Sequence, residues 1–70
     1  MSDPNADYIA QSILGSYSDR AYLEKAVETG ARGAIKRAVD YLITKRFPSL
    51  SGVTWILDIV VDMVCDYFGW

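Results

Sequence analysis

The sequence predicts a small all-α protein, a compact bundle of three or four helices that assembles into an oligomer. Three observations favour this fold class: apolar residues recur at helical spacing, no segment alternates with the period of two typical of strands, and 51% of the 70 residues are hydrophobic. A chain of this length buries only about 60% of the surface that its unfolded form exposes. The apolar excess therefore favours self-association.

The first helix is expected over residues 4–14. Asp3 is placed to cap it, Pro4 suits its first turn, and Gly15 suits its end. Its apolar residues follow one helical face and are Ala6, Ile9, Ala10, Ile13 and Leu14.

Two helices are expected in the middle of the chain, over residues 19–29 with Ser18 as the cap and over residues 31–46. At about 100° per residue, their apolar stripes point more than about 90° apart, so one straight helix could not bury both. Gly30 lies at this change of direction and predicts either a break or a sharp bend, which leaves open whether residues 19–46 are two helices or one bent helix. Phe47 precedes Pro48, and a residue before proline avoids helical geometry, so the third helix should end there.

The third helix also has a strip of small residues: Ala31, Ala34 and Ala38. Such a strip lets a second helix approach closely, at the short end of the usual interaxial range of about 8–10 Å. Packing inside this chain is the expected use of the strip.

The last helix is expected over residues 53–68, after a turn at residues 49–52 in which Ser51 acts as the cap. Its apolar residues cover roughly 200° of the helix, whereas one packing surface needs about 100°. This pattern predicts a helix covered from two directions, as the central helix of the monomer or as half of a dimer interface. Asp58, Asp62 and Asp66 recur every four residues and share one face.

A membrane-spanning role for this helix is energetically unfavourable. Three Asp at a helix centre cost roughly 8–10 kcal/mol, against roughly 3–6 kcal/mol gained from about ten apolar residues. Adsorption to a lipid surface usually involves a basic polar face, and this one is acidic. We therefore expect no stable membrane insertion.

The row formed by Asp58, Asp62 and Asp66, called the aspartate stripe below, has three interpretations. It is a solvated face that keeps an apolar helix soluble, it pairs with Arg32, Lys36 or Arg37 of the same chain or of a twin subunit, or it is a docking site for a basic partner. The aromatic residues nearby have two interpretations. Trp55, Tyr67, Phe68 and Trp70 either close the end of the core or anchor the protein in a partner, because aromatics are enriched in binding hot spots.

Composition argues against several chemistries. The chain has no His, the commonest acid–base group, and no nucleophile motif or phosphate-binding loop, so we expect no enzyme activity. Cys65 is the only cysteine, which excludes an internal disulfide, makes a structural zinc very unfavourable and fits a reducing compartment. We expect no metal or other cofactor, and a cytoplasmic location.

Nucleic-acid binding is the alternative class. Residues 20–46 loosely resemble a helix-turn-helix segment, with Arg32, Lys36 and Arg37 as the patch that would contact phosphates. Against it, the net charge is −2, whereas dedicated nucleic-acid binders are normally basic.

The sequence thus predicts a single helical domain over residues 1–70, a non-enzymatic protein-interaction module acting as an inhibitor, adaptor or assembly subunit through a helical surface, and a homo-oligomer. The expected contact residues combine aromatic anchoring with charge steering and are Trp55, Asp58, Asp62, Asp66, Tyr67, Phe68 and Trp70.

Overall fold

A computed structural model describes residues 4–70, and for Pro4 it describes the backbone alone. This part of the chain is all-helical and compact, which confirms the predicted fold class; the oligomeric state remains a prediction. The helices are α1 (Pro4–Leu14), α2 (Tyr17–Glu28), α3 (Arg32–Arg46) and α4 (Thr54–Tyr67), with a 3-10 turn at Pro48–Leu50. The cap expected at Asp3 lies outside the described residues.

The α1 prediction matches the observed bounds, whereas α2 begins two residues earlier than expected. The prediction of Ser18 as the cap was wrong: Ser16 has the extended backbone of an N-cap, and Tyr17 is already helical. The cap predicted at Ser51 was also wrong. Residues 48–50 form the 3-10 turn, and Val53 is the extended residue that precedes α4.

The break between α2 and α3 is confirmed, and a left-handed glycine makes it. Gly30 has φ 73°, and its N–H donates to the carbonyl of Val27 at 3.0 Å. The Thr29 hydroxyl supplies a further link, because it donates to the Ala26 carbonyl at 2.6 Å and accepts from the Ala31 N–H at 3.2 Å. The end of α2 is therefore closed by backbone and side-chain hydrogen bonds together.

The core lies where all four helices meet, and α4 is covered from two directions as predicted, by α1 on one side and by α3 on the other. α2 packs on α3 and α1. The buried apolar side chains are Ala6, Ile9, Ala10, Ile13, Leu23, Ile35, Ala38, Val39, Leu42, Ile43, Ile56, Val60, Val61, Val64 and Cys65.

Two of the three buried alanines in the described part of the chain are in α1. Ala6 and Ala10 are buried, which fits a close approach of α1 to its neighbours. In the strip predicted for α3, only Ala38 is buried. Ala34 is half-buried, and Ala31 is exposed because it precedes the first residue of α3.

Candidate protein-interaction surface

The outer face of α4 carries the aspartate stripe. Asp58, Asp62 and Asp66 are all exposed, while the opposite side of the helix is buried against α1 and α3. We define the α4 outer face by its exposed aspartates and the exposed aromatics beside them: Trp55, Asp58, Asp62, Asp66 and Tyr67. Helical spacing places Trp55 and the three aspartates together because residues three and four apart share a side of the helix, and Tyr67 lies at the edge of this face, about 100° around the helix from Asp66.

Two of the three aspartates pair with cations from α3. The guanidinium of Arg32 donates to Asp62, and the ammonium of Lys36 lies 3.7 Å from Asp58. Both pairs use only the Oδ1 atom of the carboxylate. Asp66 makes no ion pair with any residue of the 4–70 segment. The stripe is thus exposed, and two of its three carboxylates are paired within the chain; docking of a basic partner stays a prediction.

Arg32 is shared between two acceptors of α4. Besides Asp62, it donates from Nη1 to the Cys65 sulfur, 3.6 Å away. The hydrogen bond to Asp62 is the main cause that raises the pKa of Arg32 above its ordinary value. Arginine is ordinarily charged at physiological pH, and this hydrogen bond favours the charged form further.

The aromatic end of α4 is held by its backbone. Gly69 has φ 72° and donates its N–H to the Asp66 carbonyl at 3.2 Å, and the Trp70 N–H donates to the Cys65 carbonyl at 2.8 Å. This pair of bonds is a Schellman motif, the usual way for a helix to end at a glycine. The motif fixes the backbone at Trp70, so the indole side chain is attached to an ordered backbone.

The four predicted aromatic contacts divide into two groups. Phe68 is half-buried against the core and makes an edge-to-face contact with Tyr67, with ring centroids 5.0 Å apart. Trp55, Tyr67 and Trp70 remain about half exposed, at 52%, 54% and 49%. The predicted core-closing role thus describes Phe68, and the other three rings remain open to a partner.

Sequence reasoning missed two apolar members of this surface. Ile59 and Met63 are half-buried and follow Trp55 at intervals of four residues, so they form a continuous apolar strip beside the aspartates. The same interval is visible in the sequence, but the prediction counted both residues within one wide apolar arc of α4 and did not separate this strip from it.

A second surface lies on the opposite side of α3, where α2 and α3 run side by side. An open groove of about 470 Å³ has a floor of small residues and two cationic walls. We call it the α2/α3 groove; its lining residues are Tyr22, Lys25, Ala26, Thr29, Ala34, Arg37 and Ala38. The exposed rings of Tyr22 and Tyr41 meet at one end, with centroids 5.4 Å apart.

The predicted nucleic-acid patch is divided between the two surfaces. Arg32 and Lys36 lie beside α4 and pair with its aspartates, whereas Arg37 lines the α2/α3 groove. At about 100° per residue, Arg37 lies about 100° around α3 from Lys36. The three cations therefore do not form one contiguous patch.

A buried ion pair was not anticipated from the sequence. Asp19, in the first turn of α2, is 2% exposed and accepts from Nε of Arg46, the last residue of α3. Arg46 also donates to the Ser16 hydroxyl at 3.0 Å. Each charge also lies at the helix end that its sign favours. The pair links the start of α2 to the end of α3 and takes no part in either surface.

Exposed aromatic residues are a general feature of this molecule. All five tyrosines and both tryptophans are exposed. Only the two phenylalanines are partly buried against the core. Tyrosine and tryptophan are the residue types most enriched in binding hot spots, and large exposed apolar area marks contact surfaces.

Within residues 4–70, no helix has the length and apolar character needed to cross a membrane, and no group of three or more Cys, Asp or Glu side chains is arranged to hold a metal ion. Comparison with known protein families, with curated proteins and with solved structures found no match to this chain.

Proposed function

We propose that this protein is a non-enzymatic protein-interaction module that acts through the α4 outer face and assembles with further copies of itself. In this role it serves as an inhibitor, an adaptor or an assembly subunit. The observation that carries the proposal is the combination, on one helix, of exposed indole and phenol rings with a row of carboxylates. Aromatic side chains supply binding energy, and the carboxylates set orientation and association rate.

The structure supports defined roles for individual residues. Trp55 and Tyr67 provide exposed rings near the two ends of α4, and Trp70 follows on a backbone held by the Schellman motif. A ring on an ordered backbone loses little conformational freedom on binding, which favours affinity. Asp66, which has no ion-pair partner among residues 4–70, is the carboxylate that would meet a cation of a partner.

The proposal of a non-enzymatic role is drawn from the sequence, which has no His and no nucleophile motif. Nucleic-acid binding is less well supported, because two of the three basic residues proposed for it are paired with aspartates of the same chain. The remaining cation, Arg37, belongs to a different surface.

The test is the mass of the protein in solution over a wide range of concentrations, measured by sedimentation for the native chain and for single variants. Trp55→Ala and Trp70→Ala should each weaken self-association by about tenfold or more, because loss of a tryptophan buried in an interface typically costs about 1.4 kcal/mol or more. Tyr17→Ala is the matched control, since Tyr17 is the most exposed aromatic residue at 79% and lies on α2.

Circular dichroism on the same samples checks that helicity is retained. Equal association of the native chain and both tryptophan variants would contradict the assignment of the contact to α4. A native chain that stays monomeric at every concentration would contradict self-assembly.

A further inference from the structure

We propose that the α2/α3 groove of one molecule receives the α4 outer face of the next, so that copies associate head to tail. The inference rests on the proposed function, because it takes α4 as one side of the contact. It adds the other side, and it identifies the occupant of the groove as a second copy of this chain.

The charges of the groove point to an acidic occupant. Three of the seven Lys and Arg side chains are in ion pairs within residues 4–70, and Arg20 donates to the carbonyl of Leu14 at 3.0 Å. Within residues 4–70, the side chains of Lys25, Arg37 and Lys45 have neither an ion-pair partner nor a hydrogen-bond acceptor. Two of them, Lys25 from α2 and Arg37 from α3, stand on the two walls of the groove.

The α4 outer face offers the complementary charges. Asp66 is exposed and unpaired within residues 4–70, and Asp58 and Asp62 use only their Oδ1 atoms in the pairs with α3. Each of these two carboxylates thus retains an oxygen that can accept from a second cation. An acidic helix face can therefore meet two cationic walls without breaking the ion pairs already present.

The floor of the groove is suited to a helix. Ala26, Ala34 and Ala38 have almost no bulk, so a helix can approach closely and insert its larger side chains between the walls. The α4 outer face supplies such side chains in Trp55 and Tyr67. The tyrosine pair at the end of the groove, Tyr22 and Tyr41, adds an aromatic edge for an incoming ring.

One molecule can present both surfaces at the same time. The groove lies between α2 and α3, whereas α4 packs on α1 and α3 and its outer face points away from that core. A face-to-face dimer through two grooves would instead bring Lys25 and Arg37 of both copies together, and like charges repel. When the groove of one copy binds the α4 outer face of another, the pair still has one free groove and one free α4 outer face. Such contacts therefore propagate into rings or open chains.

A single-stranded nucleic acid is the alternative polyanionic occupant of such a groove, with Tyr22 and Tyr41 as stacking platforms. The groove has only two cations, and Glu24, Glu28 and Asp40 are exposed on the same two helices. The acidic helix of a second copy is the better fit, because it carries only three exposed aspartates beside apolar and aromatic side chains, whereas a nucleic-acid strand carries a phosphate on every nucleotide.

The experiment uses two full-length variants. The groove variant carries Lys25→Glu and Arg37→Glu, and the face variant carries Trp55→Ala and Asp66→Lys. Each variant alone should associate at least about tenfold more weakly than the native chain, because attraction is replaced by repulsion or an anchor is lost. An equimolar mixture should form a discrete one-to-one complex, because each partner then contributes one intact surface.

Lys45→Glu is the control for charge, since it reverses an unpaired cation outside the groove and should leave association unchanged. Ala34→Gln is the control for shape, since it fills the floor without changing charge and should weaken association. Helicity and thermal stability of every variant establish that it is folded. A groove variant that fails to fold is replaced by Ala34→Gln, which tests the same surface.

Four results would overturn the inference, and they separate its failure from failure of the proposed function. If the groove variant associates as the native chain does while the face variant does not, α4 acts without the groove and only this inference fails. If the native chain is monomeric, or if the face variant associates normally, the proposed use of α4 in self-assembly fails as well. If fluorescent oligothymidine binds the native chain and loses affinity for the groove variant, the groove takes nucleic acid.

Discussion

The guanidinium of Arg46, at the end of α3, donates a hydrogen bond to the carboxylate of Asp19, at the start of α2, and this carboxylate is almost fully buried. The two residues are unequal partners, because the Arg46 side chain is 37% exposed and the Asp19 side chain is 3% exposed. Substitution of Arg46 leaves the buried charge of Asp19 without a partner, whereas substitution of Asp19 leaves a cation that water can reach.

Arg46→Ala should therefore lower the free energy of unfolding by about 2 kcal/mol or more, the usual cost of an unpaired buried charged group. Asp19→Ala should lower the free energy of unfolding by less than Arg46→Ala does. The double variant should be more stable than Arg46→Ala alone, because it no longer contains the unpaired buried charge. Urea denaturation of the two single variants and of the double variant completes the cycle. A double variant less stable than Arg46→Ala would show that Asp19 contributes through its position in the first turn of α2 and not through the pair.

The pair between Arg32 and Asp62 should behave differently because both side chains are more than half exposed. Arg32→Gln should change the melting temperature far less than Arg46→Ala does, and added salt should reduce even that change. The pKa of Arg32 is raised in the folded state, so its contribution is complete below the ordinary arginine pKa and is lost only as pH rises through the higher folded value. We thus expect the contribution of this pair to the free energy of unfolding to stay constant between about pH 5 and about pH 9. A marked slope that Arg32→Gln removes would contradict this expectation.

Replacement of Gly30 and of Gly33 by alanine should change the stability of the fold in opposite directions. Gly30 has φ 73°, and a side chain there is strained even though no atom blocks it, so Gly30→Ala should destabilise by about 1–2 kcal/mol. Gly33 lies in the first turn of α3 with open space around it, and Gly33→Ala should stabilise by up to about 1 kcal/mol. Thermal unfolding of both variants makes the comparison. Similar shifts of the same sign would show that the break between α2 and α3 does not depend on a left-handed residue.

Two alanines test how tightly the helices pack. Ala10 is 1% exposed in α1, so Ala10→Leu should overpack the core and destabilise by about 1–3 kcal/mol. Ala34 lines the α2/α3 groove, and Ala34→Leu should change stability by no more than about 0.5 kcal/mol because the added methyl groups meet open space. Leucine is a good helix former, so propensity does not explain the difference. Equal destabilisation at the two sites would show that the groove is filled in the folded chain.

Local patterns were sufficient to predict much of this fold. Helical spacing and terminal glycines predicted the four helices to within about two residues at each end, and the opposed stripes on either side of Gly30 predicted the break. The width of the apolar arc on α4 predicted that it would be covered from two directions. Each of these features depends on residues close together in the chain.

Long-range features were not accessible in the same way. Asp19 and Arg46 are far apart in sequence, and nothing in either local pattern marks them as a pair. The prediction allowed Arg32, Lys36 or Arg37 to meet the aspartates, and the rotation of α3 against α4 selects the first two. The α2/α3 groove depends on the same rotation, because it decides that Ala34 faces outward instead of packing in the core.

The packing of α1 against α4 has a consequence for how the molecule folds. The hairpin of α2 and α3 forms from neighbouring segments, whereas the contact of the first and last helices closes a loop that includes both of them. Loop closure of this length is entropically costly and slows folding. Docking of α1 onto α4 should therefore come late. The part of α4 that α1 covers would stay exposed until then, and transiently exposed apolar surface favours aggregation.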